Sequence, residues 1–160
     1  MSLNKVATGV FMALVFCLPI QVGEANAVRD PTKIQGPQLQ PHAIELITAE
    51  ELKAKLTKNE PVAIIDVRAS SEFSNSENRI KGAIHVKLRK LRYRLGMRPL
   101  SNLPHDREIV TYCACPSDES SMRAAQVLAA AGFSHVRVLK GGWNEWLKVN
   151  GPVDSKPKAL

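Results

Sequence analysis

Short β-rich runs alternating with helical patterns constrain this chain more than any other feature of its sequence. Val62-Ala63-Ile64-Ile65 is a continuous apolar run that ends at Asp66. A strand apolar on both faces has to be covered on both faces, which is the situation of a parallel strand inside a sheet. Glu108-Ile109-Val110-Thr111-Tyr112 and Val136-Arg137-Val138-Leu139 are two further β-rich runs. Helical signals separate them. Thr48-Ala49-Glu50-Glu51 is a capping box, and Leu52 and Leu56 share one face of the helix it opens. Ser121 to Ala131 is alanine-rich, with Ala124, Ala125, Leu128 and Ala129 on one face and Gly132 placed to end the helix. This alternation predicts an α/β domain with a mainly parallel sheet.

The remaining segments fit the same plan. Ile44 to Ile47 is a short strand, Ser70 to Ser76 a short helix led by serines, and Gly82 to Val86 another short strand. Leu88, Leu91 and Leu95 fall at helical spacing, and Gly141-Gly142 turns into a last helix carrying Trp143, Trp146 and Leu147. Both tryptophans read as core. Val28 to Pro41 contains three prolines and little periodicity, so it reads as an extended lead-in. The predicted organisation is a leader over 1–27, a lead-in over 28–43, one domain over 44–153 and a polar tail over 154–160. There is no internal repeat.

The leader has the three parts of a secretory signal. Lys5 precedes an uncharged apolar stretch from Val6 to Ile20, and Ala25-Asn26-Ala27 is a small-x-small cleavage site. The stretch is short against the roughly 20 residues of a bilayer span, so no stable membrane anchor is expected. Cleavage near Ala27 predicts a periplasmic or secreted chain. It would remove Lys5, Glu24 and Cys17 and leave the formal charge at +7. Only Cys113 and Cys115 would remain, in an oxidising compartment. One residue apart, they cannot staple distant parts of the chain, so their role is chemical.

Ligands of parallel sheets sit beyond the carboxyl ends of the strands. The run from Glu108 carries Cys113 and Cys115 to that edge, and Pro116, Ser117, Asp118, Glu119, Ser120 and Ser121 lead on into a helix. A cysteine reacts as its thiolate, and a helix N-terminus stabilises an anion through free amides and the helix dipole. The segment is therefore the candidate site of a nucleophilic cysteine.

The chain resembles the rhodanese-like domain family, the sulfurtransferases. Ile64-Ile65-Asp66-Val67-Arg68 with Glu72-Phe73 resembles the family's first signature. Ile80-Lys81-Gly82-Ala83-Ile84 resembles its second, with Arg79 in place of the usual histidine. Tyr112 to Ala125 resembles the active-site loop and its helix. Gly132-Phe133, Leu139-Lys140-Gly141-Gly142, Trp146 and Gly151-Pro152-Val153 resemble the family's ending. The resemblance implies a five-stranded parallel sheet flanked by helices and a cysteine that carries sulfur as a persulfide. It implies a small sulfur donor, a thiol acceptor or a partner protein, and no metal or organic cofactor. The family also includes non-catalytic binding modules.

Two counts disagree about the nucleophile. Counted back from the helix, Cys115 stands nine residues before Ala124, the family's spacing; counted along the strand, Cys113 takes the place. Activation comes from the helix end, so Cys115 leads. Cys113 is the alternative nucleophile or a resolving thiol, and a Cys113–Cys115 disulfide would make the pair a thiol–disulfide redox centre. Asp118 and Glu119 oppose an anionic donor, and Pro116 removes one amide, so weak use of thiosulfate is expected. Arg123 lies one turn into the helix. Asp66 and Arg68 read as an ion pair supporting the loop.

The bases of Lys87 to Arg98 read as a solvated helical face, and no nucleic-acid recognition motif accompanies them. His42, His85, His105 and His135 have no metal-ligand spacing with the cysteines.

Overall fold

The computed structural model describes residues 43–156. The leader, nearly all of the lead-in and the last four residues lie outside the described residues. Seven strands and five α-helices follow one another among the described residues. They are β1 (Glu45–Ile47), α1 (Ala49–Thr57), β2 (Val62–Asp66), α2 (Ser70–Asn75), β3 (Asn78–Ile80) and β4 (Ile84–His85). Then come α3 (Leu88–Arg94), β5 (Glu108–Tyr112), α4 (Glu119–Ala130), β6 (Val136–Leu139), α5 (Gly142–Lys148) and β7 (Val153–Ser155).

Five strands form one parallel sheet in the order β1-β6-β5-β2-β4. Its centre is the pairing of β2 with β5, which sets Val62 opposite Glu108 and Asp66 opposite Tyr112. Alternation along the strands then sends side chains to two cores. Ile65, Ile109, Cys113 and Val138 pack with Leu91 of α3 and with Ala124, Ala125 and Leu128 of α4. Ile64, Val110, Tyr112 and Leu139 pack with Leu52 of α1 and with Trp143 and Trp146 of α5. The central strands are thus apolar on both faces because helices cover both. The tryptophans are core residues, as their sequence context suggested.

Local chemistry sets the boundaries. The capping box at Thr48 forms in full: Glu51 N donates to Thr48 Oγ1 at 3.2 Å, and Thr48 N donates to Glu51 Oε2 at 2.9 Å. Gly132 takes the left-handed conformation just after α4, φ +95°, which a glycine adopts without a Cβ clash.

Two boundaries differ from the sequence reading. Helix α4 starts at Glu119, two residues before the expected Ser121, because Asp118 ends the loop in the left-handed region, φ +53°. The assigned polar tail also contributes to the fold. Val153–Ser155 pairs antiparallel with β3, Asn78 opposite Ser155 and Ile80 opposite Val153. Asp154 Oδ2 accepts from Gly82 N at 2.7 Å, and Lys156 N donates to Glu77 O at 2.9 Å. The domain therefore runs past Val153, and these backbone pairings hold its end.

Candidate active site

Strands β2 and β5 end side by side, and each delivers functional groups to the same edge of the sheet. Beyond β2 the chain turns inward. Arg68, only 1% exposed, forms an ion pair with the fully buried Asp66. Arg68 Nη2 donates to Asp66 Oδ2 at 2.7 Å, and Nε lies 3.1 and 3.0 Å from the two carboxylate oxygens. Tyr112 donates its phenol hydrogen to Asp66 Oδ2 at 2.7 Å, and its oxygen accepts from Ile80 N at 3.3 Å. The guanidinium carbon lies 4.4 Å from the Trp143 ring centroid, within cation–π range. Arg68 Nη2 also donates to Asn78 O at 3.0 Å, which ties β3 to the cluster.

These contacts set the protonation of the group. Burial alone would raise the Asp66 carboxyl, but the His85 imidazole and the Arg68 hydrogen bonds outweigh it and hold the carboxyl below its usual range. Burial pushes the Tyr112 phenol far up, and the Asp66 charge pushes it further, so it stays a hydrogen-bond donor. His85 Nδ1 is 3.7 Å from Asp66 Oδ1, and its ring stacks on Phe73. Asp66 and Arg68 thus form an ion pair at the end of β2.

Beyond β5 the chain turns into the loop of residues 113–118. Cys113 continues the alternation of Ile109 and Thr111 and points under α4, only 1% exposed. Its carbonyl accepts from Trp143 N at 2.8 Å. Gly142 makes that approach feasible, since a Cβ there would collide with the Cys113 carbonyl. Cys115 packs against the edge of the same core but is only partly buried. The two cysteines are joined by a disulfide, with their Cα atoms 5.7 Å apart.

The six residues after Cys115 divide between the loop and the helix. Pro116 and Ser117 turn the chain, and Asp118 N donates to Cys115 O at 3.3 Å. The Asp118 side chain does not cap α4; its Oδ2 accepts from Gly141 N at 2.8 Å, locking the loop to the start of α5. Glu119 pairs with Arg123 at 2.6 Å on the exposed surface. Ser120 lies in the first turn without a bond to the sulfurs. Ser121 is buried: its hydroxyl donates to Asp118 O at 2.8 Å and lies 3.5 Å from Cys113 Sγ. Thr111 Oγ1 donates to Ser121 O at 2.9 Å, which pins the first turn of α4 to β5.

A cleft of about 410 Å³ opens beside the loop, lined by Pro116, Asp118, Gly141, Glu50, Glu145 and Lys140 among others. Three carboxylates against one lysine give it an acidic wall. A larger cleft, about 610 Å³, lies at the opposite edge of the sheet around the start of β1, β5 and β6. Neither cleft is lined by a cysteine; the smaller one adjoins the loop through Pro116 and Asp118. Three residues important to the site were absent from the sequence reading as site residues: Tyr112, Trp143 and His85. Each acts through contacts to residues far along the chain, which local sequence does not reveal.

A family model for the rhodanese-like domain matches residues 48–149. The chain belongs to the rhodanese-like domain family. It is similar to a protein named Sulfurtransferase from Allochromatium vinosum, 28% identical over 107 residues, covering 67% of this chain and 92% of the relative. Thiosulfate sulfurtransferase GlpE from Shewanella oneidensis is 31% identical over 96 residues, covering 60% of this chain and 86% of that protein. The crystal structure of the Alr3790 protein from Anabaena sp. is similar in fold, with a TM-score of 0.58 at 34% identity, over 69% of this chain and 82% of that one.

Proposed function

We propose that this protein is a sulfurtransferase that carries a sulfane sulfur as a persulfide on Cys115. One observation carries the reading: Cys115 is the more accessible sulfur of the pair, four residues before the first residue of α4, whose N-terminus has no side-chain cap. A thiolate there gains from the free amides of the first turn and from the helix dipole. In the reduced protein the Cys115 thiolate attacks the outer sulfur of a donor, and the donor's remaining fragment leaves with the electron pair. A thiol acceptor then removes the sulfur and regenerates the thiolate. The relatives' names, Sulfurtransferase and Thiosulfate sulfurtransferase, support this class of reaction.

The donor is a persulfide or a partner protein rather than thiosulfate. Glu50, Asp118 and Glu145 line the cleft beside the loop, and Lys140 is the one base among them. A dianion meets net repulsion there. Arg68 offers no compensation, since it is buried against Asp66 and Trp143. The leader ending at Ala27 supports action outside the cytoplasm.

Intact-mass measurement of the reduced protein after brief exposure to a low-molecular-weight persulfide, and separately to thiosulfate, tests the reading. One added sulfur is expected on the Cys113→Ser protein with the persulfide and little with thiosulfate. Cys115→Ser should acquire none. Sulfur retained by Cys115→Ser would transfer the carrier role to Cys113.

A further inference from the structure

The pairing of a buried sulfur with an accessible one has a chemical consequence. A bridge across so short a loop removes little entropy from the unfolded chain, so Cys113–Cys115 is a poor staple. The residues are nevertheless placed for a bond. Their Cα atoms stand 5.7 Å apart, inside the range that disulfides require, and the bond itself is present. Cys113 lies in the core beneath α4. An external donor reaches Cys115 first, and Cys113 meets sulfur chemistry mainly through its neighbour.

The geometry points to a second activity at this site, the internal release of the carried sulfur as hydrogen sulfide, with Cys113 as the resolving thiol. It rests on Cys115 as the persulfide carrier. Cys113 sulfur attacks the sulfur of Cys115 that is bonded to carbon. The Sγ–Sγ bond forms, the bond to the outer sulfur breaks, and that sulfur departs with the electron pair. The Cys113 thiol hydrogen ends on the leaving group, so a thiol and a persulfide become a disulfide and one hydrogen sulfide. The carried sulfur is reduced and the two cysteine sulfurs are oxidised.

Ser121 prepares the attacking group. Its own hydrogen is committed to Asp118 O, which leaves its lone pairs beside Cys113 Sγ, 3.5 Å away, to accept a thiol hydrogen once the pair is reduced. That contact holds Cys113 Sγ in place beneath the loop while Cys115 is loaded. The resulting disulfide blocks further loading. A dithiol reductant reopens it by attacking the accessible Cys115 sulfur, which expels the Cys113 thiolate. The reductant's second thiol then frees Cys115, and the reductant leaves as its own disulfide. A Cys113–Cys115 disulfide, the pairing the structure holds, is the product of this release step.

A single-turnover experiment tests this. The protein is reduced with dithiothreitol, desalted, exposed briefly to cysteine persulfide and desalted again. Hydrogen sulfide is then trapped with a bimane reagent while intact mass is followed. The wild type should release about one sulfide per loaded chain without added thiol and end two hydrogens lighter than the reduced chain. Cys113→Ser and Cys113→Ala should both hold the added sulfur and release sulfide only when dithiothreitol is supplied. Wild-type persulfide that persists as long as that of the Cys113 variants would overturn the release step. Absence of added sulfur on the Cys113 variants at the earliest time would instead overturn the carrier reading and this one with it.

Discussion

Two neighbouring strand ends of the same sheet do opposite things with their polar groups. Asp66 and Tyr112 stand in register across β2 and β5. Past β2 the chain closes a buried cluster in which Asp66 accepts from both Arg68 and Tyr112 and Trp143 covers the guanidinium. Past β5 it presents a sulfur at a half-open loop held by a few bonds, from Gly141 N to Asp118 and from Trp143 N to Cys113 O. Permanent charges are placed where they fix geometry. The sulfur proposed to react is placed close before the first turn of α4, whose side-chain cap is missing. The two ends meet at α5, because Trp143 touches both Arg68 and Cys113.

Breaking the closed end should have the larger effect. Arg68→Ala leaves the Asp66 carboxylate buried without its partner, a loss of about 3–5 kcal/mol. Urea denaturation of the reduced protein measures it. Arg68→Lys should also lose stability, because an ammonium cannot reproduce the forked contact with both carboxylate oxygens. A loss below about 1 kcal/mol in Arg68→Ala, the size expected of an exposed pair, would mean that the cluster does not support the loop as described.

Altering the open end should change chemistry more than stability. Asp118→Asn retains an oxygen to accept from Gly141 N and a side chain that tolerates the left-handed backbone. It removes one carboxylate from the wall of the cleft. Thiosulfate turnover, measured as kcat/KM, should rise roughly tenfold at low ionic strength and less as salt is added. Folding stability should shift by no more than about 1 kcal/mol. An unchanged kcat/KM at low salt would remove electrostatic repulsion as the basis of the proposed preference against thiosulfate.

The two ends were not equally legible in the sequence. β2, β5 and β6 could be read because burial on both faces leaves a local mark, a run of apolar and β-branched residues. The ribbon of β3 and β7 left none. Asn78-Arg79-Ile80 and Val153-Asp154-Ser155 are too short to show alternation, and they become strands by pairing with each other across the fold. At the site, the cysteine loop was visible because cysteines between a β-rich run and a helix have a local pattern. The early start of α4 was hidden, since a left-handed Asp118 bonded to Gly141 depends on a partner 23 residues away. The roles of Tyr112 and His85 were hidden likewise. Their partner, Asp66, is reached only once the sheet is assembled.

Acid separates the two ends more gently than mutation. The Asp66 carboxyl is held below its usual range in the folded protein, while in the unfolded chain it returns to about 3.8. Between those two values the unfolded state binds the extra proton, so stability falls as pH falls. The contribution of the pair is therefore complete above about pH 3.8 and is lost as pH drops through the lower folded value. Asp66→Asn has no such proton to bind. Its stability at neutral pH should be lower, and its decline in acid shallower, when urea midpoints are followed from pH 6 to pH 2. An acid decline as steep in Asp66→Asn as in the wild type would assign the sensitivity to other carboxylates. The closed strand end would then be a matter of packing around Arg68 rather than of charge.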